Sequence, residues 1–121
     1  MQSKSLILAK KYLGKEVKIK IDRPMGSVHP RFDKLKYTSN YGYLEGVKAP
    51  DGDNLDAYLL NIYEPVSEYE GIVIAIVHRL NNDDDKLVII PKDQSISDEE
   101  IDKAVEFQEK WSKSKHIIIR K

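Results

Sequence analysis

The chain has 121 residues and a mass of 13.9 kDa, enough for one domain around one hydrophobic core and too short for two ordinary ones. Lysine plus arginine and aspartate plus glutamate total 20 each, and the pI is about 6.8; no global field draws nucleic acid or an anionic membrane, so any charge that matters is local. The absence of cysteine excludes disulfides, thiolate-bound zinc and a cysteine nucleophile.

The polar start MQSKS is followed by LILAKKYLG, without the long apolar stretch of a signal peptide, and runs such as Ile72 to Val77 are too short to cross a bilayer. These features predict a soluble, unexported protein in a reducing cytoplasm. Residues Ser3 to Leu13 place Leu6, Ile7, Lys10 and Leu13 near helical spacing, with Ser3 as cap and Gly14 as stop. From Glu16 to Asp22 the period becomes two: Val17, Ile19 and Ile21 face one way and Lys18 and Lys20 the other, which predicts a half-buried strand. Arg23 to Lys36 has Pro24, Gly26 and Pro30, no periodicity, and the cations Arg23, Arg31, Lys34 and Lys36 beside His29; it reads as a basic loop.

Tyr41-Gly42-Tyr43 reads as a turn ahead of three aspartates, Asp51, Asp53 and Asp56, within six residues. Carboxylates so close repel one another, a cost a divalent cation relieves. Oxygen donors without cysteine or paired histidines favour Mg²⁺, with Mn²⁺ second. A plain Asp-Gly hairpin turn is the competing reading. An EF-hand loop fails, because Asp56 stands where that loop needs glycine and Ile62 where it needs glutamate.

Ala57 to Tyr63, Gly71 to Arg79 and Lys86 to Pro91 are rich in Ile, Val, Leu and Tyr and predict three more strands. Between the last two lies NNDDDK, Asn81 to Lys86, a second acidic turn that a barrel would set opposite the first, gathering up to six carboxylates and several cations at one mouth. Ser97 to Ser112 opens with a capping-box pattern and carries Ile101, Ala104, Val105, Gln108 and Trp111 along one side, so it predicts a helix with Trp111 turned to the core. His116 to Arg120 predicts a last strand. With no repeat or linker, residues 1–121 form one α+β domain: a small closed or partly open β-barrel with an N-terminal and a C-terminal helix.

The ordered set Asp22-Arg23, Asn40-Tyr41-Gly42-Tyr43, Asp51-Gly52-Asp53-Asn54-Leu55-Asp56 and Asp84-Asp85-Lys86-Leu87-Val88 resembles the soluble family I inorganic pyrophosphatases. The resemblance implies an OB-like barrel and Mg²⁺-dependent hydrolysis of inorganic diphosphate by a metal-bound hydroxide. It implies Asp51, Asp56 and Asp84 as metal ligands, with the earlier aspartate of the acidic loop falling on Asp83 or replaced by Asn82, and Asp53 as general base. Arg23 and Lys86 would hold phosphate oxygens, Tyr37 and Tyr41 line the pocket, and Lys113 follow Trp111-Ser112 where the family offers a Tyr-Lys pair. It also implies a homo-oligomer, while the zero net charge and the acidic mouth predict no nucleic-acid or membrane partner. Alternatives are a hydrolase of another phosphoanhydride such as a nucleotide, and a non-catalytic metal- or nucleotide-binding module on the same fold.

Overall fold

The computed structural model describes residues 4–80, 84–112 and 115–120; Asp83 and Lys113, with Asn82, lie outside the described residues. Helix α1 (Lys4–Lys10) is followed by β1 (Glu16–Arg23), β2 (Asn40–Lys48), β3 (Asn54–Leu59), β4 (Glu68–Arg79), β5 (Lys86–Ile90), α2 (Asp98–Glu109) and β6 (His116–Arg120). Among the described residues the strands form one sheet in the order β1-β2-β3-β5-β4-β6.

Strand β1 is long enough to serve two neighbours. Its first half, Glu16 to Lys20, pairs antiparallel with β4, and its second, Lys20 to Arg23, pairs antiparallel with β2. That double pairing closes β1, β2, β3, β5 and β4 into a barrel, while β6 adds to the far end of β4. A strand alternates its side chains between two faces, and in a closed barrel those faces become inside and outside. Inside, Ile19, Leu44, Leu55, Leu59, Val73, Ile76, Leu87 and Ile89 pack with Leu6 and Ala9 of α1. Outside, Tyr41, Tyr58, Val77, Val88 and Ile90 pack under Ile101 and Val105 of α2. With a helix covering its outer face, β5 is buried along its whole length, Lys86 included.

The stretch read as a turn at Tyr41-Gly42-Tyr43 is instead part of strand β2. Gly42 pairs with Ile21, and a Cβ there would lie 1.7 Å from the Lys20 carbonyl oxygen. The glycine that weakens the strand pattern is the one that lets two backbones approach. β3 begins at Asn54, upstream of the predicted Ala57, because Lys48 pairs with Asn54 across a tight hairpin in which Gly52 takes φ 91°. Its end moves earlier too: Asn61, at φ 65°, turns the chain out of strand geometry.

Ser97 caps α2 in a reciprocal box, its Oγ accepting from the Glu100 N–H while the Glu100 carboxylate accepts from the Ser97 N–H. The helix stops at Glu109, with Lys110 at the C-cap. Trp111 therefore falls beyond the helical stripe, and it is 55% exposed rather than core-facing.

Candidate active site

Alternation along three strands fixes which charges meet. Asp56 shares the outer face with Tyr58 on β3, Lys86 with Val88 on β5, and Arg79 with Val77 on β4. Lys86 opens β5, Arg79 closes β4, and Asp56, third in β3, lies level with Lys86 in the parallel register, so the three cluster toward one end of the barrel. The Lys86 ammonium donates to Asp56 Oδ2 at 2.8 Å and to Asp84 Oδ1 at 2.8 Å, and lies 5.8 Å from the centre of the Tyr41 ring. Arg79 donates from Nη1 to the other Asp84 oxygen at 2.9 Å, and grips Glu109 of α2 with a two-pronged fork, Nε and Nη2 each at 3.0 Å.

Behind the fork the network continues inward. The Tyr58 hydroxyl donates to Glu109 Oε2 at 2.6 Å, Gln108 Nε2 donates to the Tyr58 oxygen at 2.8 Å, and the Tyr37 hydroxyl donates to Gln108 Oε1 at 3.0 Å. Burial by itself would raise the Glu109 carboxyl, but the Arg79 fork and the Tyr58 hydroxyl outweigh it and hold the group below the usual range. Arg79 is discouraged from carrying charge by its burial, yet Glu109 and Asp84 hold it above its ordinary value. Burial pushes the Tyr41 and Tyr58 hydroxyls well upward, the Asp56 charge adding to the first and Glu109 to the second; both phenols stay protonated donors.

The predicted residues separate into two groups. Asp56, Asp84, Lys86 and Tyr41 are brought together. Arg23 and Tyr37 stand alongside: Arg23 Nη1 lies 4.0 Å from Asp22 Oδ2, and the Asp22 carboxyl, raised by burial and eased back by Arg23, also feels Asp56. Tyr37 is buried behind the site rather than at its surface. Asp51 and Asp53 occupy the exposed β2–β3 turn, where Asp51 Oδ1 accepts the Asp53 N–H at 2.9 Å, a local closure typical of aspartate in turns. Asp85 points away from the mouth. It is buried and accepts from Ser5 Oγ, meets His78 Nδ1 and accepts from the Arg79 N–H at 3.0, 2.9 and 3.0 Å. Thus Asp84 and Asp85, adjacent in sequence, serve opposite sides of the sheet.

Arg79, Glu109 and Tyr58 were not singled out from sequence, although a signal existed. Arg79 ends the apolar run GIVIAIVH, and Glu109 lies four residues after Val105, on the buried stripe of α2. A charge in either position needs a partner.

Over the mouth lies a cavity of about 570 Å³ with Arg31, Lys34, Arg79 and Lys86 in its wall, together with Tyr41 and the exposed aromatics Phe32 and Trp111. Four cations facing one cavity suit a polyanion.

The inorganic pyrophosphatase family model matches residues 11–117, nearly the whole chain. The chain belongs to the inorganic pyrophosphatase family. An inorganic pyrophosphatase of Sulfolobus acidocaldarius is 31% identical over 88 residues, covering 69% of this chain and 47% of the relative; the chain spans about half the length of that curated relative. Among solved structures, the inorganic pyrophosphatase from Ehrlichia chaffeensis superposes with a TM-score of 0.64 at 14% identity, covering 86% of this chain and 85% of the other. An inorganic pyrophosphatase from Neisseria gonorrhoeae gives 0.62 at 21%, covering 78% and 72%. These two likenesses establish the pyrophosphatase fold, the closed barrel with helices at both ends of the chain.

The family is generally metal-dependent, and the residues at the mouth fit one hard divalent ion. Two carboxylates, Asp56 and Asp84, already converge on a single cationic point, the Lys86 ammonium; Mg²⁺ takes one or two protein carboxylates and leaves its other positions to water and phosphate. A larger cage is another matter: among the described residues no group of three or more acids or histidines converges on one metal-sized point.

Proposed function

We propose that this protein hydrolyses inorganic diphosphate to two phosphates with Mg²⁺ (Mn²⁺ as substitute) held by Asp56 and Asp84, with Asp51 joining from the β2–β3 turn. The supporting observation is the pair of carboxylates bridged by Lys86, a residue that itself lines a cavity with Arg31, Lys34 and Arg79 in the same wall. When bound, the divalent ion supplies charge neutralisation and a lowered pKa for water. Asp53, in a solvated turn, accepts the proton of the attacking water, and Lys86 exchanges its carboxylates for a phosphate oxygen. Arg79, with Arg23 at the rim, offsets charge on the departing phosphate, and Tyr41 donates to the substrate from its protonated hydroxyl. Water adds to one phosphorus, the bridging P–O bond breaks, and a phosphate leaves. The protein works as a homo-oligomer in the cytoplasm on a small soluble substrate, without nucleic acid or membrane.

Purified protein supplied with diphosphate and Mg²⁺ releases phosphate. Chelation abolishes the release, and Asp53→Asn lowers turnover by about a hundredfold or more while Mn²⁺ binding persists. Undiminished turnover in Asp53→Asn removes the base assignment.

One observation favours a second reading, a nucleotide as the phosphoanhydride. Phe32 and Trp111, 61% and 55% exposed, place aromatic surface in the cavity wall, and diphosphate has no apolar part to use it. The chain has a single tryptophan, so quenching of its fluorescence by ADP but not by imidodiphosphate supports this reading.

A further inference from the structure

Neutralising a cluster of carboxylates takes positive charge, and at this mouth much of it comes from the chain itself. Asp56, Asp84 and Glu109 are linked through two cations, Lys86 and Arg79, so the linked group is left one negative charge in excess. Lys86 is a flexible ammonium that an incoming ion can displace. Arg79 is different in kind. Its side chain is 12% exposed and the Glu109 side chain that grips it 1% exposed, and the fork is backed by Tyr58 and Gln108 on neighbouring elements. A planar guanidinium cannot lose its proton in this setting, and releasing it would leave the Glu109 carboxylate buried and unpaired. Its Nη1 also donates to Asp84 Oδ2 at 2.9 Å, so the Asp84 oxygen that the guanidinium leaves for a metal is Oδ1.

We propose that Arg79 is a built-in cation that takes the place of one divalent ion, so that the mouth binds a single Mg²⁺ per chain where its acidic residues would otherwise gather more. The inference rests on the phosphoanhydride reading of this mouth. Arg79 also lines the cavity, where an N–H not used by Glu109 or Asp84 donates to a phosphoryl oxygen. The charge that a second ion would bring with the substrate is thus present before the substrate arrives, and its position is fixed by α2 rather than by ion concentration.

The test counts ions rather than turnovers. Mn²⁺ binding to the full chain, without substrate, is followed by the loss of the free-ion paramagnetic resonance signal for the wild type, Arg79→Gln and Arg79→Lys, each first shown to be folded by thermal unfolding. The wild type binds one ion per chain; Arg79→Gln, with Glu109 and Asp84 released, binds a second ion or binds the first at least tenfold more tightly; Arg79→Lys, which keeps the charge, stays near the wild type. A wild type with two or more sites of similar affinity overturns the proposal, as does a count and affinity unchanged in Arg79→Gln. Should Arg79→Gln fail to fold, the wild-type and Arg79→Lys counts still decide. Phosphate release from diphosphate is measured separately: a wild type that binds one ion but leaves diphosphate intact keeps this inference and removes the functional reading.

Discussion

The two acidic turns of this chain look alike in sequence and behave differently in the fold. The β2–β3 turn, with Asp51 and Asp53, is exposed and satisfies itself: one aspartate accepts the backbone N–H of the other. The approach to β5, with Asp84, Asp85 and Lys86, is satisfied by distant partners. Lys86 reaches Asp56 on β3, Arg79 at the end of β4 reaches both Asp84 and Glu109 on α2, and Asp85 reaches Ser5 on α1. Carboxylates that close a local turn remain available to a ligand and contribute little to the fold. Carboxylates held by long-range cations are part of the fold, and a ligand must compete for them.

Substitutions sharpen that contrast. The largest effect is expected at Lys86, buried with two carboxylates on its ammonium: Lys86→Met removes the cation between Asp56 and Asp84 and leaves only Arg79 on Asp84, and kcat/KM for diphosphate falls by about 100-fold or more, measured by phosphate release. Next comes Asp85. Asp85→Ala strips the acceptor from His78, the Arg79 N–H and Ser5 at once, and lowers unfolding stability by about 1–3 kcal/mol, seen as an earlier urea midpoint.

A third, smaller effect depends on pH. Because the folded state holds the Glu109 carboxyl below its usual range, its ionised form contributes stability above the unfolded value of about 4.3, and that contribution is lost as pH falls through the lower folded value. The stability gap between the wild type and Glu109→Gln therefore narrows on acidification, and a gap independent of pH in thermal melts would break the assignment. The smallest effect belongs to the self-contained turn. Asp51→Asn keeps an oxygen to accept the Asp53 N–H, so stability moves by no more than about 0.5 kcal/mol; a larger loss would show that this turn, too, is tied to the fold.

The parts of the fold legible in the sequence were those governed by neighbours along the chain. β1 announces itself by a period of two, and α2 by Ser97, Glu100 and the Ile101–Val105 spacing. β2 was hidden, because Gly42 reads locally as a turn residue and its value lies in a contact with Lys20 on another strand. Trp111 was misread for a related reason: the stripe predicted it inward, but the helix ended first.

At the candidate site, sequence by itself determined the supply of chemistry: oxygen donors, basic loop residues, no thiols, and an ordered set of motifs characteristic of one family. Tertiary structure alone decided the pairing. Arg79 and Glu109 lie 30 residues apart and meet only because α2 packs across the outer face of the barrel. Asp84 and Asp85 take opposite duties only because the sheet has two covered sides. Periodicity reports which face a residue occupies; which charge waits on that face depends on an element folded over it from elsewhere, and local sequence carries no record of that distance.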